Sequence, residues 1–200
     1  QVDGGFLKRN FQMPWGDLYK PEQISGNLEY RGPIISDYPD IGHKWPEDSD
    51  HASLLAALEV LQSGNIGEIG QVFDLESVLT YLAGNVGLGI FDYYTVTGHN
   101  YYLYEKEPGR FYMLPWDMNG SLEVGNPAVC SPAQGYLSRI LFEDPGLQAR
   151  YFEILSTFLN TAGSPESLSA RLQHARSLIG SEFPPEDFDG LEGDIFARDQ

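Results

Sequence analysis

Cysteine is almost absent. The 200 residues hold one, Cys130, which excludes an internal disulfide and any zinc site built from several thiolates. It reads as a packed or incidental residue rather than a nucleophile. The four histidines, His43, His51, His99 and His174, show no HExxH or similar ligand spacing, so a histidine-built metal centre is not expected. Positive charge is also scarce: 12 Lys and Arg stand against 29 Asp and Glu, a formal net charge of -17. A field of that sign repels nucleic acid and anionic membrane surfaces, which sets both aside as partners. It would equally repel a nucleoside triphosphate, so an acidic protein that handles phosphate needs divalent metal or a basic element from elsewhere. No apolar run is long enough to cross a bilayer. Neither a glycine-rich phosphate loop nor a secretion signal is visible, and the chain opens on Gln1 rather than Met. We therefore expect the true N-terminus to lie upstream.

What is present suits one folded domain with a real core: 42% of residues are hydrophobic and 13% aromatic. Residues 1–30 read as strand and loop, punctuated by Pro14, Gly16 and Pro21, and residues 31–50, with several prolines and acids, as an irregular surface segment. Ser49 and Asp50 are caps for a helix with Leu54, Leu55, Leu58 and Leu61 on one face, stopped at Gly64. SGNIGEIGQVF reads as a turn, and a second helix starts from Asp74, with Val78, Leu79, Leu82 and Val86 at helical spacing. NYYLYE and RFYMLPWD are β-rich runs separated by KEPG, the signature of a hairpin. Helices resume after Pro132, the last of them opened by Ser164 with proline at its first position. The acidic tail from Ser181 is expected to be loosely held. The pattern is thus an α+β chain, mainly helical, with a β-hairpin set into its middle.

The hairpin and its flanks carry the chemistry. Pro-Trp-Asp at the end of an aromatic strand places Asp117 where a carboxylate can enter a cleft while the sheet fixes its backbone. Magnesium-class cations take hard oxygen ligands, commonly one or two carboxylates plus substrate phosphates. Asp117 suits that role, with Asn100 or Asn119 able to add a neutral oxygen. Asp92, in a helix-to-strand connection, can accept a proton from an attacking hydroxyl. On spacing alone, Asp92 and Asp117 read more readily as helix or turn caps. Asn100 is equally a strand-entry turn residue, and Tyr101, Tyr102 and Tyr104 are sheet packing.

The succession DLESVLTYLAGN, GIFD, GHNYYLYE and GRFYMLPWDMNGSL resembles the signature region of the CotH (spore coat protein H-like) kinase family. There an aspartate follows a helix, then come an H-N-Y-Y-L-Y-like strand and a P-W-D-x-D strand end. QVDGGFLKRNF, GDLYKPE and SPAQGYLSRILFEDPGLQARYFEILSTFL extend the likeness over nearly the whole chain. The resemblance implies a protein-kinase-like fold, of which this chain would be the mainly helical C-terminal lobe, using ATP and Mg2+ or Mn2+ to phosphorylate serine or threonine in proteins. It implies that Asp92 is the catalytic aspartate, Asp117 the metal-binding one, and Asn100 a metal or active-site support. Two departures follow from the same likeness. The family's second acid after P-W-D is Asn119 here, an oxygen donor without charge, and nothing matches a nucleotide-binding lobe, which we expect to lie outside the chain. Asn119-Gly120-Ser121 is also a glycosylation sequon, discounted because a site loop is a poor acceptor.

Other functions stay open at this point. Loss of charge at Asn119 fits a catalytically inactive surface or coat scaffold. The acids and aromatics fit a carbohydrate-active enzyme with paired carboxylates, and Asp187-Phe188-Asp189-Gly190 resembles part of a calcium loop without its full spacing. The acidic surface favours basic Ser/Thr-containing protein substrates by complementarity. The resemblance leaves spore coat, cell envelope and secreted locations open.

Overall fold

A computed structural model describes residues 2–11, 16–23, 25–122 and 135–197. Cys130 and the start of the post-hairpin segment lie outside the described residues. The architecture is α+β. Helix α1 (Gly4–Phe11) precedes strand β1 (Leu18–Pro21) and strand β2 (Ile41–Trp45). Helices α2 (Ala52–Leu61), α3 (Ile66–Val72), α4 (Leu75–Gly87) and the short α5 (Tyr94–Thr97) lead into strands β3 (Tyr101–Glu107) and β4 (Arg110–Pro115). Helices α6 (Tyr136–Glu143), α7 (Pro145–Leu159), α8 (Pro165–Ile179) and α9 (Pro185–Ala197) follow.

The hairpin forms in the expected register, with Tyr101 opposite Pro115 and Leu103 opposite Met113. It is not an isolated insert. Strands β1 and β2 join it in a four-stranded antiparallel sheet of order β2-β1-β3-β4. Side chains alternate across a strand, and here both faces are covered. Tyr19, Tyr101, Leu103, Phe111 and Met113 enter the main core with α2 to α7, while Leu18, Tyr102 and Tyr104 pack with Leu7 of α1 on the other side.

Several local expectations change. The first residues, read as strand and loop, form α1, because Leu7 is fully buried and recruits the turn around it. The segment read as irregular contains β2, which pairs with β1. SGNIGEIGQVF holds a helix, α3, capped by the Asn65 side chain, which accepts from the backbone N–H of Gly67 and Glu68. Burial of Ile69 outweighs the poor helix propensity of Gly67 and Gly70. The acidic tail forms α9 against α8, burying Phe188 and Ile195. The fragment resembling a calcium loop lies inside that helix, and Asp189 pairs with Arg176 at 2.9 Å.

Helix α4 positions the site. Its first turn is capped by Asp74, whose carboxylate accepts from Ser77 N at 2.8 Å and pairs with Arg110 of β4 at 2.8 Å. Asp74 N donates to Phe111 O, and Met113 N donates to Ser77 Oγ at 3.2 Å. The helix thus runs along the outer edge of β4 and satisfies groups that an edge strand would otherwise leave open. Asp74→Ala removes a cap and the partner of a half-buried guanidinium, and should cost about 2–3 kcal/mol. Asp74→Asn keeps a capping oxygen and should cost roughly half of that. Urea denaturation of the two variants checks both the size and the order.

Candidate functional site

Between α4 and β3 the chain makes a loop through Asp92, α5, His99 and Asn100. Asn100 sits at φ 64°, in the left-handed region that asparagine tolerates better than most side chains. That turn aims its amide back along the loop. Asn100 Nδ2 donates to the Asp92 carbonyl at 2.9 Å and to Asp92 Oδ2 at 3.0 Å. The other carboxylate oxygen, Oδ1, lies 3.2 Å from His99 Nε2. Asp92 is therefore oriented from both sides, yet its side chain keeps 39% of its exposure, enough to meet a substrate.

Asn100 also reaches the second acid. Its carbonyl accepts from Trp116 N at 3.2 Å, and Asp117 is the next residue. The same carbonyl accepts from Tyr81 Oη at 3.2 Å, and Tyr81 Oη in turn accepts from Tyr94 N at 3.3 Å. Asp117 has φ 54°, is exposed, and stands at the head of the short turn Met118–Gly120 without capping it. Its carboxylate makes no hydrogen bond or ion pair among the described residues. The capping alternative fails for Asp92 too, whose carboxylate meets side chains rather than a helix N–H. Asn100 is the strand-entry residue as well as the tie to Asp92. Tyr101, Tyr102 and Tyr104 are packing residues, all buried.

Buried tyrosines hold this unit in place. Tyr81 Oη serves Asn100, Tyr101 Oη donates to Gly26 O at 2.6 Å, and Tyr94 Oη donates to Asn27 O at 3.1 Å and accepts from Leu137 N at 2.9 Å. Burial raises the pKa of all three phenols, so they remain protonated donors at ordinary pH. Close backbone approach completes the arrangement: a Cβ on Gly26 would stand 1.6 Å from Gly98 O, so the segment leaving β1 lies directly on the loop carrying His99 and Asn100.

A fit for metal can be judged from the donors alone. Among the described residues, no group of three or more His, Cys, Asp or Glu side chains could cage an ion. The carboxylate of Asp117 and the amide oxygen of Asn100 accept no hydrogen bond among the described residues, and hard oxygen donors of this kind are the type that magnesium-class cations take together with substrate phosphates. Asn119 is exposed on the turn after Asp117 and makes no hydrogen bond to Asp92, Asn100 or Asp117. Next to the strand end, Ser77, Tyr81, Asn85, Met113, Pro115 and Met118 help line a cavity of about 400 Å³. His99 and Tyr81 were not singled out by their spacing; the His-Asn pair ahead of the strand was the one available hint for His99.

A family model described as CotH kinase protein matches residues 1–190. A search among curated proteins gives no match. The family match covers most of the chain, and the chain belongs to the CotH kinase family.

Asn100 joins two effects that substitution can separate. Asn100→Gly keeps the left-handed turn but loses the amide bonds to Asp92, and should cost about 1–2 kcal/mol. Asn100→Ala loses the amide and strains the turn, and should cost about 1 kcal/mol more. Equilibrium denaturation of the pair gives this order if the turn is as tightly imposed as its bonding indicates.

Proposed function

We propose that this member of the CotH kinase family is an ATP- and divalent-metal-dependent protein kinase with a protein-kinase-like fold. It transfers the γ-phosphoryl group to serine or threonine hydroxyls of proteins, and the described residues supply the base and metal side of its site. The observation that carries this assignment is the double role of Asn100, which ties Asp92 through its amide and the strand end bearing Asp117 through its carbonyl. Phosphoryl transfer asks little covalent chemistry of a protein; it asks for positioning and charge stabilisation.

Asp92 is the base. As the substrate oxygen bonds to the γ-phosphorus, its proton passes to the Asp92 carboxylate, and the bond to the bridging oxygen breaks to leave ADP. Asn100 and His99 fix the direction in which that carboxylate faces. Asp117 and the Asn100 amide oxygen would hold Mg2+ or Mn2+, with Asn119 as a neutral donor in the position of the family's second acid. The metal, when bound, neutralises charge on the transferring phosphoryl group.

A second function, a non-catalytic surface or coat scaffold, is favoured by one observation, the uncharged Asn119 where the family carries an acid. The two differ in nucleotide binding: the scaffold shows no metal-dependent uptake of ATP.

An assay of γ-phosphate transfer from ATP, using the full-length gene product with magnesium or manganese and a basic Ser/Thr peptide, should give transfer. Asp117→Ala should abolish it, and Asp92→Ala should reduce it by about 10²–10⁴-fold. Full activity in both variants overturns the site; no transfer and no metal-dependent nucleotide binding in the parent favours the scaffold. The formal charge of -17 further predicts weaker phosphorylation when Lys and Arg of the peptide are replaced by neutral residues, an effect that added salt should shrink.

A further inference from the structure

Helix α4 carries two glycines, Gly84 and Gly87, and packing explains only the second. At Gly87 a Cβ would stand 2.6 Å from the Phe158 ring of α7, so the two helices approach there only without a side chain. At Gly84 a Cβ would meet nothing within 4 Å, and the backbone is ordinary helix. Glycine is unfavourable inside a helix, and neither a dihedral angle nor a neighbour asks for it at this position. What the missing side chain leaves is space. Gly84 helps wall the cavity of about 400 Å³ between α4 and the end of β4.

The space extends beyond that cavity. Glu76, Thr80 and Gly84 follow at intervals of four along α4, which puts them on one ridge of the helix. On the β4 side of the ridge lies the first hollow, lined by Met113, Pro115 and Met118. On the α7 side lies a second, of about 250 Å³, lined by Ile154, Thr157 and Phe158. Glu76 and Thr80 wall both hollows, so the two adjoin across the ridge, which Thr80 and Gly84 keep low. One trough therefore crosses α4. Its inner end is at the site: Pro115 and Met118 stand on either side of Asp117 in the chain, and Tyr81, also in the wall, donates to the Asn100 carbonyl at 3.2 Å.

Lining and charge select the occupant. Near Asp117 the walls are apolar, with Tyr81, Met113, Pro115 and Met118. The charged residues that line the trough are Asp74, Glu76 and Arg150. Arg150 is shared between Glu76 and Glu153, and Arg110, the partner of Asp74, is shared with Glu107. Acid therefore exceeds base along the trough, which repels phosphate and favours a neutral or basic polypeptide. A hollow that crosses a whole helix also suits an extended chain better than a compact small ligand. The acceptor hydroxyl has to come within hydrogen-bond reach of Asp92, so the residues next to it in the acceptor protein pass close to the strand end bearing Asp117.

We propose that the trough over Gly84 receives the acceptor protein, with a large apolar side chain near the phosphorylated serine or threonine seated against Met113, Pro115 and Met118. This rests on the kinase assignment and narrows its substrate class to Ser/Thr segments that carry a leucine-sized residue as well as basic ones. Gly84 is a specificity-determining residue, because it leaves the seat open.

The test is steady-state phosphate transfer from ATP by the full-length gene product with magnesium, using basic Ser peptides in which one leucine replaces alanine at each position around the acceptor in turn. Leucine at one position should raise kcat/KM by about tenfold or more over the alanine peptide. Gly84→Leu, which fills the trough, should bring that ratio close to one through KM for the peptide, whereas Gly84→Ala should keep most of it. Both variants should melt at or above the parent, since leucine and alanine form helix better than glycine, which separates loss of the ratio from unfolding. A parent indifferent to leucine, or a Gly84→Leu enzyme that keeps the preference, removes the acceptor from the trough and leaves the kinase assignment intact. A rise in KM for ATP with the preference kept does the same and places the nucleotide there instead. Transfer to no peptide, while the parent still binds ATP with magnesium, also overturns the trough as the acceptor's seat. A parent that neither transfers phosphate nor binds ATP with magnesium brings down the assignment and this inference together.

Discussion

The site depends on one residue in an uncommon backbone state. Asn100, turned into the left-handed region, presents its amide to Asp92 and its carbonyl to Trp116 and Tyr81. No right-handed or extended conformation at that position would send both groups the same ways. Glycine would accept the turn and lose the amide; alanine would lose the amide and resist the turn. An acid-base residue and a metal-binding residue on separate segments can act on one substrate only if their spacing is fixed. For the roles proposed for Asp92 and Asp117, Asn100 would supply that spacing, through its amide to Asp92 and its carbonyl to Trp116 N.

That unit would drift without the helix behind it. Asp74, Ser77 and Tyr81 succeed one another along α4 and meet Arg110 and Phe111, then Met113, then Asn100, from the start of β4 to just beyond its end. The spacing of three and four residues keeps all three on one helix face. The helix thus acts as a straight edge against which the hairpin is aligned, and the alignment ends at the site. The last of these bonds is buried, and burial raises the pKa of the Tyr81 phenol, so it stays a protonated donor at ordinary pH.

Much of this was legible in the residues, for reasons that can be stated. The Asp74 cap and the leucine spacing behind it announce α4, and HNYYLY with RFYMLPWD announces the hairpin, because both patterns follow local periodicity. Asp92, Asn100 and Asp117 were singled out as candidates through resemblance; spacing alone left each of them open as a cap or turn. Elements stabilised by distant contacts were not legible. Helix α1 begins with Gly4 and Gly5 and is held by Leu7 packing with Tyr102 and Tyr104, with the Asp3 side chain accepting from Phe6 N at its start. Strand β2 follows a proline-rich stretch and is justified only by pairing with β1. Helix α3 carries Gly67 and Gly70 and is justified by Ile69 in the core. His99 escaped notice because its value lies in the 3.2 Å approach to Asp92, a product of the turn at Asn100.

Charge gives the last step of synthesis. A chain with a formal charge of -17 can handle phosphate only where its own field is reversed locally. Leaving Asp117 without a protein partner among the described residues would be costly in a buried site, yet it is inexpensive at an exposed strand end and keeps a carboxylate open to a cation. Arg110 and Arg150, by contrast, are engaged with acids away from this end, Arg110 with Asp74 and Glu107, Arg150 with Glu76 and Glu153. Cations so committed serve the frame. Lys20 differs in position rather than in strength: its partner Glu22 is half-exposed, and its ammonium lies over the tryptophan that leads into Asp117. The frame's cations stay with α4 and β4, while Lys20 stands on β1 beside the strand end that leads into Asp117.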